Sequence, residues 1–132
     1  MRYLGIDFGL RKIGLAFGDD ETNISTPAEV ITNDDRLFSR LISLVQSEGI
    51  DAIAVGVPLP TGDHHSADQL NRTRAFIEEL RRVVSVPVYE VDEKYTSSES
   101  RRIQKEYGSQ VPEDSLAAML ILQAYLDELV HL

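Results

Sequence analysis

The chain contains no cysteine among its 132 residues. That absence excludes disulfide frameworks, thiolate zinc sites and thiol nucleophiles, and it suits a reducing compartment. No apolar run reaches transmembrane length, so no membrane span is expected. Met1-Arg2-Tyr3 leads directly into an apolar segment with no signal-peptide pattern, which predicts a cytoplasmic protein. No repeat, low-complexity tract or interdomain linker is visible. Positive charge is scarce as well: 13 Lys and Arg stand against 22 Asp and Glu, a net charge of −9. Such a balance disfavours generic binding to polyanions. It leaves room for a local basic face, and carboxylates that hold divalent cations count as negative only in a formal tally.

What is present describes one globular unit. Apolar residues make up 42% of the chain, and its length suits a single domain, 1–132, with a sizeable core. Tyr3 to Asp7, Ile13 to Gly18 and Ala28 to Thr32 read as three strands of an antiparallel meander. Asp34 or Asp35 can cap a helix whose apolar positions are Leu37, Phe38, Leu41, Ile42 and Val45, with Gly49 closing it. Asp51 to Val57 is almost continuously apolar, as a strand buried on both faces should be. A polar loop from Pro58 to Ser66 leads to a helix over about Ala67 to Arg82. Val86 to Val91 reads as a fifth strand. Thr96-x-x-Glu99 resembles a capping box opening a third helix, and the last helix begins near Pro112. The order βββαβαβαα predicts an α/β fold: a mixed five-stranded sheet with helices on both faces.

Three carboxylates fall at element ends. Asp7 closes the first strand between Gly5 and Gly9, where a lone acid is costly unless its charge is compensated and where glycine admits a close neighbour. Capping of a turn would serve this Asp equally well. Glu93 follows the fifth strand and, by alternation, projects on the side of Tyr89 and Val91. An acidic turn after a strand has the same pattern. Asp114 opens a helix in which Gln123 is the only polar residue from Leu116 to Leu126. It stands one, two and three turns ahead of Ala118, Ile121 and Tyr125, at the head of a row entering the core. An acid there also complements the helix dipole, as Glu113 would. Together the three would repel unless cations sit between them. Hard oxygen ligands select Mg²⁺ or Mn²⁺. Two such ions about 4 Å apart would stabilise both the attacking and the leaving oxygen of phosphodiester cleavage.

Several blocks resemble one family. Gly5-Ile6-Asp7-Phe8-Gly9-x-x-Lys12-Ile13-Gly14-Leu15-Ala16 is similar to the opening of the YqgF/RuvX family of ribonuclease-H-like nucleases. Ala54-Val55-Gly56-Val57-Pro58, Val91-Asp92-Glu93-Lys94-Tyr95-Thr96 and Asp114-x-x-Ala117-Ala118-x-x-Ile121-Leu122-x-x-Tyr125-Leu126 continue the resemblance in family order. It implies a ribonuclease-H-like fold in which Asp7, Glu93 and Asp114 are the catalytic, metal-binding acids. It further implies a two-metal-ion nuclease, a hydrolase that matures the 5′ end of pre-16S ribosomal RNA; the alternative is a Holliday junction resolvase acting on branched DNA. Lys94 replaces the family's usual Arg, which loses planar bidentate phosphate contacts, and Thr96-Ser97 replaces its paired threonines.

Candidate substrate contacts are Arg11 and Lys12 beside Asp7, Arg72 and Arg74 at the opening of the second helix, and Lys94, Thr96 and Arg101 after Glu93. The expected partners are precursor ribosomal RNA or branched DNA, with pre-ribosomal particles as a further setting. A junction resolvase would need a homodimer for two cuts, whereas trimming of an RNA end works as a monomer. Two other readings compete: a nucleotide-binding half of an actin-like ATPase, whose hairpin is similar, and a non-catalytic ribosome-assembly or nucleic-acid-binding domain.

Overall fold

A computed structural model describes residues 1–59, 64–93, 105–108 and 110–130, with the side chains of 64–66 left out of the description. Eight elements follow in order: β1 (Arg2–Asp7), β2 (Lys12–Asp19), β3 (Ile24–Thr32), α1 (Leu37–Ser47), β4 (Ala52–Val57), α2 (His64–Val83), β5 (Val88–Asp92) and α3 (Glu113–Val130). The five strands form one sheet in the order β3-β2-β1-β4-β5. β1 pairs antiparallel with β2, and β2 with β3, while β1–β4 and β4–β5 are parallel. The mixed sheet predicted from the meander and the two crossovers is therefore present.

The two faces of the sheet differ in side-chain size, and that difference positions the site. On one face Leu4, Ile6, Ile13, Leu15, Ile53 and Val55 pack against Leu37 and Leu41 of α1 and Phe76, Ile77 and Leu80 of α2. The other face is built from small residues: Gly5 on β1, Gly14, Ala16 and Gly18 on β2, and Ala52, Ala54 and Gly56 on β4. Against it lies α3, burying Leu116, Ala118, Ile121, Leu122 and Leu126. A Cβ on Gly5 would stand 2.7 Å from Leu122 Cβ and 2.9 Å from the Ala118 carbonyl. The helix thus rests almost directly on the sheet backbone. Strand alternation assigns the two faces, so Asp7 and Glu93 emerge on the α3 side.

Three boundaries differ from expectation. β3 begins at Ile24, not Ala28, because Pro27 lies on an edge strand beside a register shift between Gly14 and Ala16, where a missing N–H is tolerated. α2 begins at His64, so His64, His65 and Ser66 belong to the helix and not to a loop; polarity alone does not stop a helix. As a result Arg72 and Arg74 lie mid-helix. β5 runs from Val88 to Asp92, two residues later than expected at its start: the Pro87 carbonyl accepts the Ile53 N–H at 2.9 Å as the first ladder bond, but Pro87 has no N–H to extend the pairing backward. The expected cap by Asp34 or Asp35 is not formed: Arg36 is the N-cap of α1 and no side chain caps it, because the Asp34 carboxyl accepts the Arg36 N–H at 3.0 Å in the turn before the helix. Gly49 does take φ +62° just past the helix end. The capping box at Thr96 and Glu99 lies outside the described residues.

Gln123 explains itself in the fold. Its side-chain oxygen accepts the Ser25 N–H at 3.0 Å, and its NH₂ donates to the Asn23 carbonyl at 2.9 Å. The one polar residue in this apolar stretch ties the start of edge strand β3 to α3.

Candidate active site

Asp7 ends β1 and pairs across the ladder with Gly14 of β2. A Cβ on Gly14 would collide with the carbonyl oxygen of Asp114 and stand 3.1 Å from Asp114 Cβ. Glycine at this position lets the first turn of α3 settle over the end of β1, bringing Asp114 beside Asp7. Pro112 starts that turn: its carbonyl accepts the Leu116 N–H at 3.2 Å and the Ser115 hydroxyl at 2.9 Å.

Glu93 continues β5 by one residue. Its N–H donates to the Val57 carbonyl at 2.9 Å, which holds it in the ladder next to β4. A Cβ on Gly56 would lie 2.8 Å from Glu93 Oε1 and would strike Ile121 Cδ1. The second glycine thus opens the lane through which the Glu93 side chain reaches across β4 to β1. There it hydrogen-bonds the Asp7 carboxyl. The first and fifth strands and the closing helix so bring three acids to one end of the sheet.

Their electrostatics follow from that crowding. The Asp7 carboxyl is pushed up to about 8, first by burial, then by the negative charge and hydrogen bond of Glu93, and finally by the charge of Asp114. Burial also raises Glu93, with its hydrogen bond to Asp7 acting in the opposite sense. The pair holds one proton between two oxygens at neutral pH, and the titration belongs to both groups. Among the described residues, no Lys or Arg pairs with any of the three acids. Among those residues no three acidic or imidazole side chains, Asp7, Glu93 and Asp114 included, stand close enough together to hold a metal ion as they are. An all-oxygen donor set of half-buried acids without a basic partner fits a hard divalent cation in its chemistry.

The candidate substrate contacts are less uniform. Arg11 in the β1–β2 turn and Lys12 at the start of β2 are both exposed, a few residues beyond Asp7. Arg72 pairs with Asp68 at 3.1 Å on α2. Arg74 approaches Glu90 at 3.8 Å, on the face opposite Asp7 and Glu93. Lys94, Thr96 and Arg101 lie outside the described residues. Gly14 and Gly56 escaped notice as site residues because their role, clearance for two acids, exists only once α3 is docked. Asn33 was missed too: its NH₂ donates to the Gly9 carbonyl at 2.9 Å and fixes the turn after Asp7.

Among known proteins, this chain is 37% identical over 133 residues to a Sulfurihydrogenibium protein named "Putative pre-16S rRNA nuclease", an alignment covering 97% of this chain and 91% of that one. A Bordetella avium protein of the same name is 37% identical over 128 residues, covering 96% and 95%. The fold is similar to that of T. thermophilus RuvC in complex with a Holliday junction substrate, with a TM-score of 0.68, 17% identity and 98% and 96% of the two chains covered. It is also similar to the Fowlpox virus resolvase with Holliday junction DNA, at a TM-score of 0.60 and 12% identity, covering 98% and 99%. The family model described as "RuvX: Holliday junction resolvase" matches residues 1–128. With the three acids at the end of such a sheet and a family match across nearly the whole chain, this protein belongs to the RuvX family.

Proposed function

We propose that the chain is a divalent-metal-dependent endonuclease that hydrolyses phosphodiester bonds, with Asp7, Glu93 and Asp114 as its catalytic and metal-holding acids. The observation that carries this reading is the half-buried Asp7–Glu93 hydrogen bond with Asp114 alongside and no basic partner among the described residues. Mg²⁺ or Mn²⁺, when bound, supplies charge neutralisation, a more acidic water and stabilisation of the attacking and leaving oxygens. The protein's own part is positional. Asp7 gives up the shared proton and presents oxygens from a rigid strand end. Glu93 does so from the neighbouring lane over Gly56, and Asp114 from a helix whose first turn is pinned on Gly14. Arg11 and Lys12 are placed to meet substrate phosphates.

The preferred substrate is precursor 16S ribosomal RNA, as the names of the 37%-identical relatives suggest, with its 5′ end as the site that the family resemblance implies. Branched DNA is the second reading, suggested by the description of the matched family. A cytoplasmic location accords with this role, and among the described residues no helix is long and apolar enough to cross a membrane. The test is side-by-side cleavage of a precursor 16S 5′ end and a four-way DNA junction in Mg²⁺ and in Mn²⁺, with Asp7→Asn as control. Metal-dependent RNA cleavage lost in Asp7→Asn is expected. Cleavage of the junction alone would reassign the substrate, and unimpaired cleavage by Asp7→Asn would refute the mechanism.

A further inference from the structure

Asp7 and Phe8 are consecutive residues at the end of β1, so their side chains leave on opposite faces of the sheet. Beyond Phe8 lies a cavity of about 220 Å³, lined among the described residues by Phe8, Gly9, Leu10, Asp68, Gln69 and Arg72. Phe8 is held there by stacking on Phe76, with ring centres 4.6 Å apart, and Phe38 stacks on the same ring at 5.7 Å. Leu10 stands over the opening, 62% exposed although apolar. The Arg72 guanidinium is steadied by Asp68. The Gln69 side chain is exposed, so its amide offers a donor and an acceptor to solvent or ligand on one planar group.

We propose that this cavity holds one unpaired nucleobase of the substrate strand, from a nucleotide adjoining the cleaved bond. The proposal rests on the nuclease reading above and adds a feature to it: selection for a single-stranded or splayed nucleotide. The size is right for one planar ring system and too small for a larger ligand, which takes about 300 Å³ or more. A wall with an anchored aromatic ring and an exposed leucine suits a base face, and stacking of that kind tolerates any base. The Gln69 amide and the Arg72 guanidinium can meet a base edge, the form of recognition used where bases are unstacked. The location links the cavity to the chemistry: the Cα atoms of Asp7 and Phe8 lie about 3.8 Å apart at the end of β1, so a strand whose phosphate meets Asp7 reaches the cavity by rounding the end of the sheet past Gly9 and Leu10. Asn33 holds the intervening turn through the Gly9 carbonyl, so the two sites keep a fixed spacing.

The experiment uses the full chain carrying Asp7→Asn, so that RNA remains intact. It is titrated by fluorescence anisotropy with a labelled single-stranded RNA spanning the 5′ processing site, and with the same RNA made abasic at each position in turn. One abasic position should weaken binding about tenfold, the loss of one stacked base. Adding Gln69→Ala or Phe8→Leu should weaken the intact RNA by a similar factor and remove the sensitivity to that position. In the cleaving enzyme, the same two changes should raise KM and leave kcat nearly unchanged. Equal binding of intact RNA and every abasic RNA would overturn the pocket, as would variants that keep the sensitivity; normal cleavage beside either result leaves the nuclease reading standing. RNA that is neither bound nor cut removes both.

Discussion

Gly14→Ala tests how closely α3 must lie on the sheet. The added Cβ would overlap the carbonyl oxygen of Asp114, which is backbone in the first turn of α3 and cannot rotate away. Relief requires the helix start to lift, by about 1 Å for a close-packed contact. Overpacking of this kind costs about 1–3 kcal/mol, and the upper end applies because backbone meets backbone. The same lift carries Asp114 away from Asp7, and a misplacement of that size can cost about 100-fold in rate. Gly18→Ala is the matched comparison. Its Cβ would meet Leu122 Cδ2 at 2.8 Å and Leu126 Cδ1 at 3.1 Å, both at the flexible ends of side chains far from the acids. It should cost about 1 kcal/mol and leave kcat within about twofold, because the acids do not move. Urea unfolding and single-turnover RNA cleavage of the two variants give the comparison. A Gly14→Ala protein as stable and active as Gly18→Ala would refute the idea that this glycine sets the acid spacing.

Other outcomes follow from the same geometry. The folded-state value of Asp7, about 8, lies above its ordinary value of 3.8, so between those values the folded protein holds a proton that the unfolded chain has released. Without metal, stability should therefore fall as pH rises from 4 to 8. Asp7→Asn should flatten that fall and be the more stable protein at pH 8, by about 2 kcal/mol after discounting the shared titration; parallel urea profiles at pH 5 and 8 would count against it. Removing Gln123 with Gln123→Ala strands the Ser25 N–H and the Asn23 carbonyl, and should cost about 1–3 kcal/mol in urea unfolding while sparing kcat. Replacing Arg74 by Ala should leave RNA cleavage within about twofold, since a half-exposed ion pair against Glu90 of β5 contributes little; a large loss would mean that the substrate reaches Arg74 itself.

Much of this arrangement was legible in the sequence because its causes are local. Asp7 stood out as a lone acid between glycines in an apolar strand. The side taken by Glu93 followed from alternation with Tyr89 and Val91, and the burial of α3 from its nearly unbroken apolar row. The sheet followed from strand lengths and connection rules. What stayed hidden depends on contacts between distant segments. Gly14 and Gly56 look like ordinary strand glycines until α3 lies across them. Arg74 looked like a free cation until β5 brought Glu90 beneath α2. The extension of α2 back to His64 was obscured by polar residues whose composition suits a loop. Pro27 hid the first part of β3, because proline signals a strand end except on an edge. Phe8 shows in the sequence only as part of the opening motif, and its surface toward the cavity requires the placement of α2.

The most direct measurement is Mn²⁺ binding by electron paramagnetic resonance at pH 7.5, on the parent chain and on Asp7→Asn, Glu93→Gln and Asp114→Asn. Loss or marked weakening of Mn²⁺ binding in each variant, with folding intact by circular dichroism, is the expected result. Unchanged affinity in all three would mean that these acids do not hold the ion, and the nuclease mechanism built on them would fall.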